Sequence, residues 1–252
     1  MNCYNEFAHI YDKLIDVDID YKKWSEFIIK KCIENKIEFE DYLDLACGTG
    51  NLTENLCSRF KSTWAVDLSE DMLSEADNKF RNKGLKVNLI CQDISNLSIN
   101  KKFDLITSCL DATNYIIDIN DLKRYFSCVQ KHLKPNGIFV FDINSYYKLS
   151  EILGNNVFNY DDDDVFYYWE NTFEDDIVSM YISFFVRKGD VYRRFNEEHE
   201  ERAYKDQILE TCLKEGQLNV LNKTDCYTDK NVGEATERIT YIVNIGGKID
   251  GR

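Results

Sequence analysis

A single proline in 252 residues leaves no Pro-rich linker, and with 44% apolar residues the chain reads as globular. No apolar run approaches the roughly 20 residues that span a bilayer, so a membrane-spanning helix is excluded. The first residues, MNCYNEFAHIYDKL, lack the basic-then-apolar pattern of a secretory signal, and a cytoplasmic protein is expected. Histidine is scarce: His9, His132 and His199 are far apart from each other. The nine cysteines include no C-x-x-C pair. Without paired ligands no metal site is expected, and an odd, scattered set fits reduced thiols used as small hydrophobes. Positive charge is also short, with 31 Lys and Arg against 45 Asp and Glu and a net charge of −14. The densest charge run is acidic, Asp161 to Asp164. Proteins that track a phosphate backbone carry a basic stripe, so nucleic acid is disfavoured as a partner. Monomer and homodimer both stay open.

Over the first 145 residues short apolar segments alternate with helical spacing. YLDLA (42–46), STWAVDL (62–68), KVNLICQD (86–93), FDLITSC (103–109) and IFVFDIN (138–144) read as buried strands. Between them lie helices from about Asn51 to Phe60, over SEDMLSEADNKF (69–80) with Ser69 as N-cap, and over DLKRYFSCVQKHL (121–133). LKPNG, with Pro135 and Gly137, is expected to turn into the following strand. Strand–helix alternation of this kind predicts an α/β, Rossmann-like, parallel sheet covered on both faces. After residue 145 the segments VFYYWENTF (165–173), VSMYISFFV (178–186) and DVYRRFNEEHEERAY (190–204), with a KGD turn at 188–190, predict a small antiparallel insertion. KDQILETCLKEG (205–216) resumes as a helix ended by Gly216, and QLNVLNKTDCYT (217–228) and ERITYIVNI (237–245) follow as strands. The expected division is 1–145 plus 204–246, an insertion at 146–203, and a polar tail at 247–252.

DLACGTGNL (44–52) joins the first strand to a helix. Gly48 and Gly50 permit a sharp turn and close approach of backbone to a ligand, and the helix start offers unpaired N–H groups. Seventeen residues past Gly50 stands Asp67, at the end of the second strand, where a carboxylate accepts hydrogen bonds from both ribose hydroxyls. A dinucleotide fingerprint would read G-x-G-x-x-G/A, but this chain reads G-T-G-N-L-T, with Thr53 in the last place. The Walker pattern is absent as well. Asp93, at the end of the third strand, strengthens an adenosine-type reading.

DLACGTGNL, VDLSEDML, CQDI, FDLITSCLDATNYI and LKPNGIFVFDIN resemble the successive motifs of class I S-adenosylmethionine-dependent methyltransferases. FAHIYDKL and the late insertion resemble the bacterial small-molecule branch. The A-C-G-T-G loop and the stretch Tyr21 to Trp24 are similar to glycine N-methyltransferase-like enzymes. The resemblance implies strand order 3-2-1-4-5-7-6 with strand 7 antiparallel, and S-adenosyl-L-methionine as cofactor, released as S-adenosyl-L-homocysteine, with no metal. It also implies roles. Ala46, Cys47, Gly48, Thr49 and Gly50 would line the methionine moiety, and Asp67 would bind the ribose. Leu68 and Met72 would pack on the adenine, with Asp93 and the Ile94 N–H at its edge. Cys109 and Leu110 would meet the amino end, while Tyr11 and Tyr21 would close the pocket. Met72 as ordinary core stays open beside this.

The acceptor is expected over the carboxyl edge of the sheet, under the insertion. Asp111 is a candidate catalytic residue. Asn114 and Tyr115 from the CLDATNYI loop, with Tyr168 and Arg202 from the insertion, are candidate substrate contacts. His199 is the candidate base, since its unperturbed pKa lies near neutrality. NEEHEER read as a solvated edge is the competing view, and Arg202 could equally pair with Glu198. The expected function is methyl transfer to a nucleophilic N or O of a small molecule. RNA modification and non-catalytic cofactor binding are the alternatives. An NAD(P)-dependent oxidoreductase fits poorly, because no Tyr-x-x-x-Lys pair occurs in the chain.

Overall fold

The computed structural model describes residues 19–246; Tyr11, FAHIYDKL and the 247–252 tail lie outside the described residues. The described chain opens with α1 (Tyr21–Glu34), β1 (Asp41–Leu45), α2 (Asn51–Cys57), β2 (Ser62–Asp67) and α3 (Glu70–Asn82). β3 (Asn88–Cys91), β4 (Phe103–Ser108), α4 (Ile119–His132) and β5 (Leu133–Asn144) follow. Next come a π-helical turn at Lys148–Leu153 and strands β6 (Val157–Asp161), β7 (Val165–Glu174), β8 (Ile177–Lys188) and β9 (Val191–Arg202). The described chain closes with α5 (Asp206–Glu215), β10 (Leu218–Asp225) and β11 (Arg238–Ile245).

The larger sheet has seven strands in the order β3-β2-β1-β4-β5-β11-β10. β11 runs antiparallel to both neighbours, and the other pairs are parallel. This is the expected order 3-2-1-4-5-7-6, its last two strands being β10 and β11. Burial on both faces explains the apolar runs: all six residues of β4 are buried. Alternation then divides each strand between two cores. Leu43, Ile106, Phe139, Phe141 and Tyr241 pack with α4 and α5, while Tyr42, Leu105, Val140 and Ile242 pack with α1 and α2. The rings of Phe139, Phe141 and Tyr241 stack in a row, with centroids 4.9 and 4.7 Å apart.

Local details depart from expectation where packing overrides pattern. α2 stops at Cys57, and the next turn bends so that Phe60 meets Phe39 and Tyr42, each with centroids 5.2 Å away. LKPNG belongs to β5, with a register irregularity between the Leu133–Phe103 and Ile138–Leu105 pairs. Gly137 lies so close to β4 that a Cβ would sit 2.9 Å from the carbonyls of Phe103 and Asp104.

The second sheet is antiparallel, β6-β7-β8-β9. β6 and the π-helical turn were not legible in the sequence. Asp161 ends β6 and Asp162 to Asp164 form the β6–β7 turn, where Asp162 Oδ1 accepts the N–H groups of Asp164 and Val165 at 2.7 Å each. Val165 and Phe184 of this sheet pack on Met72 of α3, and Val178 and Met180 pack on Leu149 and Leu153. Among the described residues no helix is long and apolar enough to cross a membrane.

Candidate active site

The loop after β1 turns through left-handed backbone at Ala46, Gly48 and Gly50, with φ of 52, 55 and 80°. Asp67, at the end of β2, holds it: Oδ2 accepts the Gly48 N–H at 2.8 Å and Oδ1 the Ser69 N–H at 2.9 Å. Burial raises the Asp67 pKa, and the two backbone donors oppose that rise. Ser69 caps α3 as expected, accepting the Met72 N–H at 3.3 Å. The two glycines do different work. A Cβ on Gly48 would meet nothing within 4 Å, whereas one on Gly50 would lie 2.4 Å from the Phe80 ring. Gly50 leaves room for Phe80 of α3 against the start of α2, and it does not line the cavity described below. Beneath the loop, Asp44 accepts the hydroxyls of Thr53 and Thr107 at 2.5 and 2.6 Å, and burial pushes its carboxyl up to about 6. Asp93, at the end of β3, accepts the Ser95 N–H and the Asn96 side-chain amide, both at 2.8 Å.

After β4 the chain turns again, with φ of 62° at Leu110 and 56° at Asp111. Both N–H groups donate to Asp142 at 2.8 Å, and the Tyr227 hydroxyl and Arg238 guanidinium donate to the same carboxylate. Arg238 also donates to Asp111 Oδ1 at 2.8 Å and lies 5.5 Å from the Trp24 ring, which stacks on Tyr227 at 4.2 Å. This network corrects the catalytic expectation for Asp111, whose carboxylate is paired with a buried arginine and does not line the cavity.

Three substrate-contact expectations are corrected as well. Asn114 is fully buried; its amide donates to the carbonyls of Asn144 and Arg202 at 3.1 and 3.0 Å and accepts the Asn144 N–H at 2.9 Å. The Arg202 guanidinium donates through Nε to the Ile117 carbonyl at 2.6 Å and not to Glu198, and Arg202 does not line the cavity described below. Tyr168 sits on the wrong side of β7, because alternation turns Tyr167 and Trp169 to the cavity.

One cavity of about 800 Å³ joins these parts. At one end it is lined by Asp67, Leu68, Asp93 and Ile94, in the middle by Ala46, Cys47, Gly48, Thr49, Cys109 and Leu110, with Met72 and Tyr21 alongside. Leu68 is 71% exposed there, an apolar face without a cover. The other end, under the second sheet, is lined by Tyr115, Tyr167, Trp169, Met180, Ile182, Phe184, His199 and Glu201. Tyr115 and His199 meet edge-on, with the hydroxyl 3.5 Å from Nδ1. Burial lowers the His199 pKa, against a raising influence from Asp111.

Glu201 was missed in the sequence. It is only 3% exposed, and Oε2 accepts the Asn144 side-chain N–H at 2.8 Å. Burial and the nearby Asp111 charge push its carboxyl up to about 8, opposed by the Asn144 hydrogen bond and by Lys148 and Arg238. The signal was period two: Glu197, His199 and Glu201 form the buried face of β9, and Glu198 and Glu200 the exposed one.

Residues 43–137 match the family described as "Methyltransferase domain". The Bacillus subtilis (strain 168) protein named "Putative methyltransferase YqeM" is 32% identical over 241 residues, spanning 94% of this chain and 95% of that one. The crystal structure of an S-adenosylmethionine-dependent methyltransferase from Clostridium acetobutylicum ATCC 824 superposes with a TM-score of 0.93 and 73% identity, over 98% of this chain and 100% of that one. CalS10, an amino pentose methyltransferase from Micromonospora echinaspora, shares the fold at a TM-score of 0.78 and 15% identity, over 94% of this chain and 96% of its own.

Proposed function

The chain belongs to the S-adenosylmethionine-dependent methyltransferases, and from that premise we propose that it methylates a nitrogen or oxygen of a small molecule held between its two sheets. The observation that carries this is the continuity of one cavity from the carboxylates of Asp67 and Asp93 to His199 and Glu201. Its volume of about 800 Å³ is within the range of small-ligand sites. In this reading residues 1–145 and 204–246 hold the donor, and the insertion at 146–203 covers the acceptor. The kinship with glycine N-methyltransferase-like enzymes stays part of the reading. So does the amino pentose acceptor of CalS10, as an example of what this fold can take.

The donor end fits the group chemically. Gly48 faces open space where any side chain would intrude, the uncovered Leu68 and the side chains of Met72 and Ile94 suit a flat base, and no arginine or lysine answers a pyrophosphate among the described lining residues. S-adenosylmethionine, when bound, supplies a methyl group on a positively charged sulfur, which departs as a neutral thioether under in-line attack. Asp67 keeps acceptor lone pairs for ribose hydroxyls beside the two backbone N–H groups it holds. Asp93 and the Ile94 N–H serve the base edge, Cys109 and Leu110 the amino end, and Tyr21 the lid. At the other end Tyr115 and His199 orient the acceptor. Burial favours the neutral imidazole of His199, which suits it to a hydrogen-bonding role. Alignment of the nucleophile is the main catalytic contribution, worth roughly 7–11 kcal/mol in well-oriented reactions. The apolar wall of Met180, Ile182 and Phe184 keeps water away.

Thermal unfolding tests the reading. S-adenosylhomocysteine at about 100 times its Kd should stabilise the fold by roughly 2.7 kcal/mol, and NADH should leave the melting temperature unchanged. A shift with NADH and none with S-adenosylhomocysteine would overturn it.

A further inference from the structure

Resting on that reading, we propose that the methyl acceptor is an aliphatic amine, bound as its ammonium by Glu201, which then takes the proton that frees the nitrogen lone pair.

The charge of the cavity comes first. Among the described residues that line it none is Lys or Arg, while six are acidic, Glu201 being the one under the second sheet. No cation of the lining answers a carboxylate or phosphate there, whereas an ammonium meets a carboxyl that can ionise against it. The second observation is the incomplete coordination of Glu201. Its carboxyl receives one hydrogen bond, from Asn144 to Oε2, and no donor reaches Oε1 among the described residues. A carboxyl 3% exposed with an oxygen lacking a donor carries a desolvation cost, which an ammonium relieves with both N–H groups and charge. Lys148 does not fill this place: its Nζ donates to Asn144 Oδ1 at 3.0 Å and so fixes the amide that points at Glu201. Tyr115, Tyr167 and Trp169 add aromatic walls, which attract cations.

Glu201 is also the better base of the two candidates. The groups around it are Asn144 on β5, Asp111 after β4, Lys148 on the π-helical turn, Arg238 on β11 and His199 on its own strand. Burial makes the carboxylate more basic and the imidazole less so, and a base is most effective with its pKa near the working pH. In the step, an ammonium N–H bond breaks, its electron pair stays on nitrogen, and the proton joins Glu201 Oε1. The proton passes to water when the methylated amine leaves.

Titration calorimetry of the protein saturated with S-adenosylhomocysteine tests this, with benzylamine and the near-isosteric benzyl alcohol as probes. At pH 7, in two buffers of different ionisation enthalpy, benzylamine should bind with release of about one proton as the Glu201 carboxyl ionises against the ammonium; benzyl alcohol should not bind. Glu201→Gln should keep its affinity for S-adenosylhomocysteine and bind benzylamine at least tenfold more weakly, without proton release. Glu201→Asp, which retains the charge and shifts its position, should also weaken benzylamine; it serves where the Gln variant fails to fold. Absent benzylamine binding, equal binding of the alcohol, unchanged amine affinity in the variants, or no proton release overturns the amine assignment. Failure of the wild-type protein to bind S-adenosylhomocysteine would instead overturn the donor-site reading.

Discussion

His199 and Glu201 stand two residues apart on one strand, and burial moves their pKa values in opposite directions. The cause is shared: a low-dielectric site disfavours the charged form, which is protonated for histidine and ionised for glutamate. For stability the sign follows. The Glu201 carboxyl sits at about 8 in the folded protein and near 4.3 in an unfolded chain. The folded state therefore holds the extra proton between those values, and stability falls as pH rises through that window. Glu201→Gln removes the dependence. In thermal unfolding without ligand, the melting temperature of the variant minus that of the wild type should be near zero at pH 5 and positive at pH 9; a flat difference would count against a buried, protonated carboxyl. Residue identity was legible where the backbone alone places the side chain, as for Asp67 and Asp93 at strand ends. It was not legible for Asp111, Asn114, Arg202 and Tyr168, because each depends on a partner remote in sequence or on which face of a strand turns inward.

Elements were legible to the extent that their pattern is local. Ser69 caps α3 and Gly216 ends α5 as expected, since both signals lie within one turn of the element. The early end of α2 and the inclusion of LKPNG in β5 follow from contacts with other strands, which no window of sequence contains. The glycines at the start of α2 separate local strain from packing. Ala at Gly48 meets only the left-handed backbone cost, about 1–3 kcal/mol, and points its methyl into open space on the cavity side. Ala at Gly50 bears the same backbone cost and also strikes Phe80, adding about 1–3 kcal/mol of overpacking. Denaturant titration should rank Gly50→Ala as less stable than Gly48→Ala by about 1 kcal/mol or more. Calorimetry with S-adenosylhomocysteine should show the larger affinity loss in Gly48→Ala. The reverse pattern would show that the loop's two glycines have been assigned to the wrong jobs.

At the scale of the molecule, two sheets share one cavity, joined where Met72 of α3 packs with Val165 and Phe184. Filling the donor end should therefore be felt in the second sheet. In hydrogen exchange, S-adenosylhomocysteine should protect residues 46–50 and 67–72 and, more weakly, 165–169 and 182–184. Protection confined to the larger sheet would show that the two ends of the cavity are energetically separate. By itself the sequence determined the strand–helix alternation, the strand-end carboxylates and the glycine turn, because each rests on neighbours within a few residues and on the alternation of a strand. Only the tertiary structure decided which face of β9 lies under the sheet and that Arg238 claims Asp111 from 127 positions away. It alone left Glu201 with an oxygen lacking a donor. Burial and charge pairing are properties of the assembled fold, and they turned an acidic surface-like stretch into the polar end of a cavity.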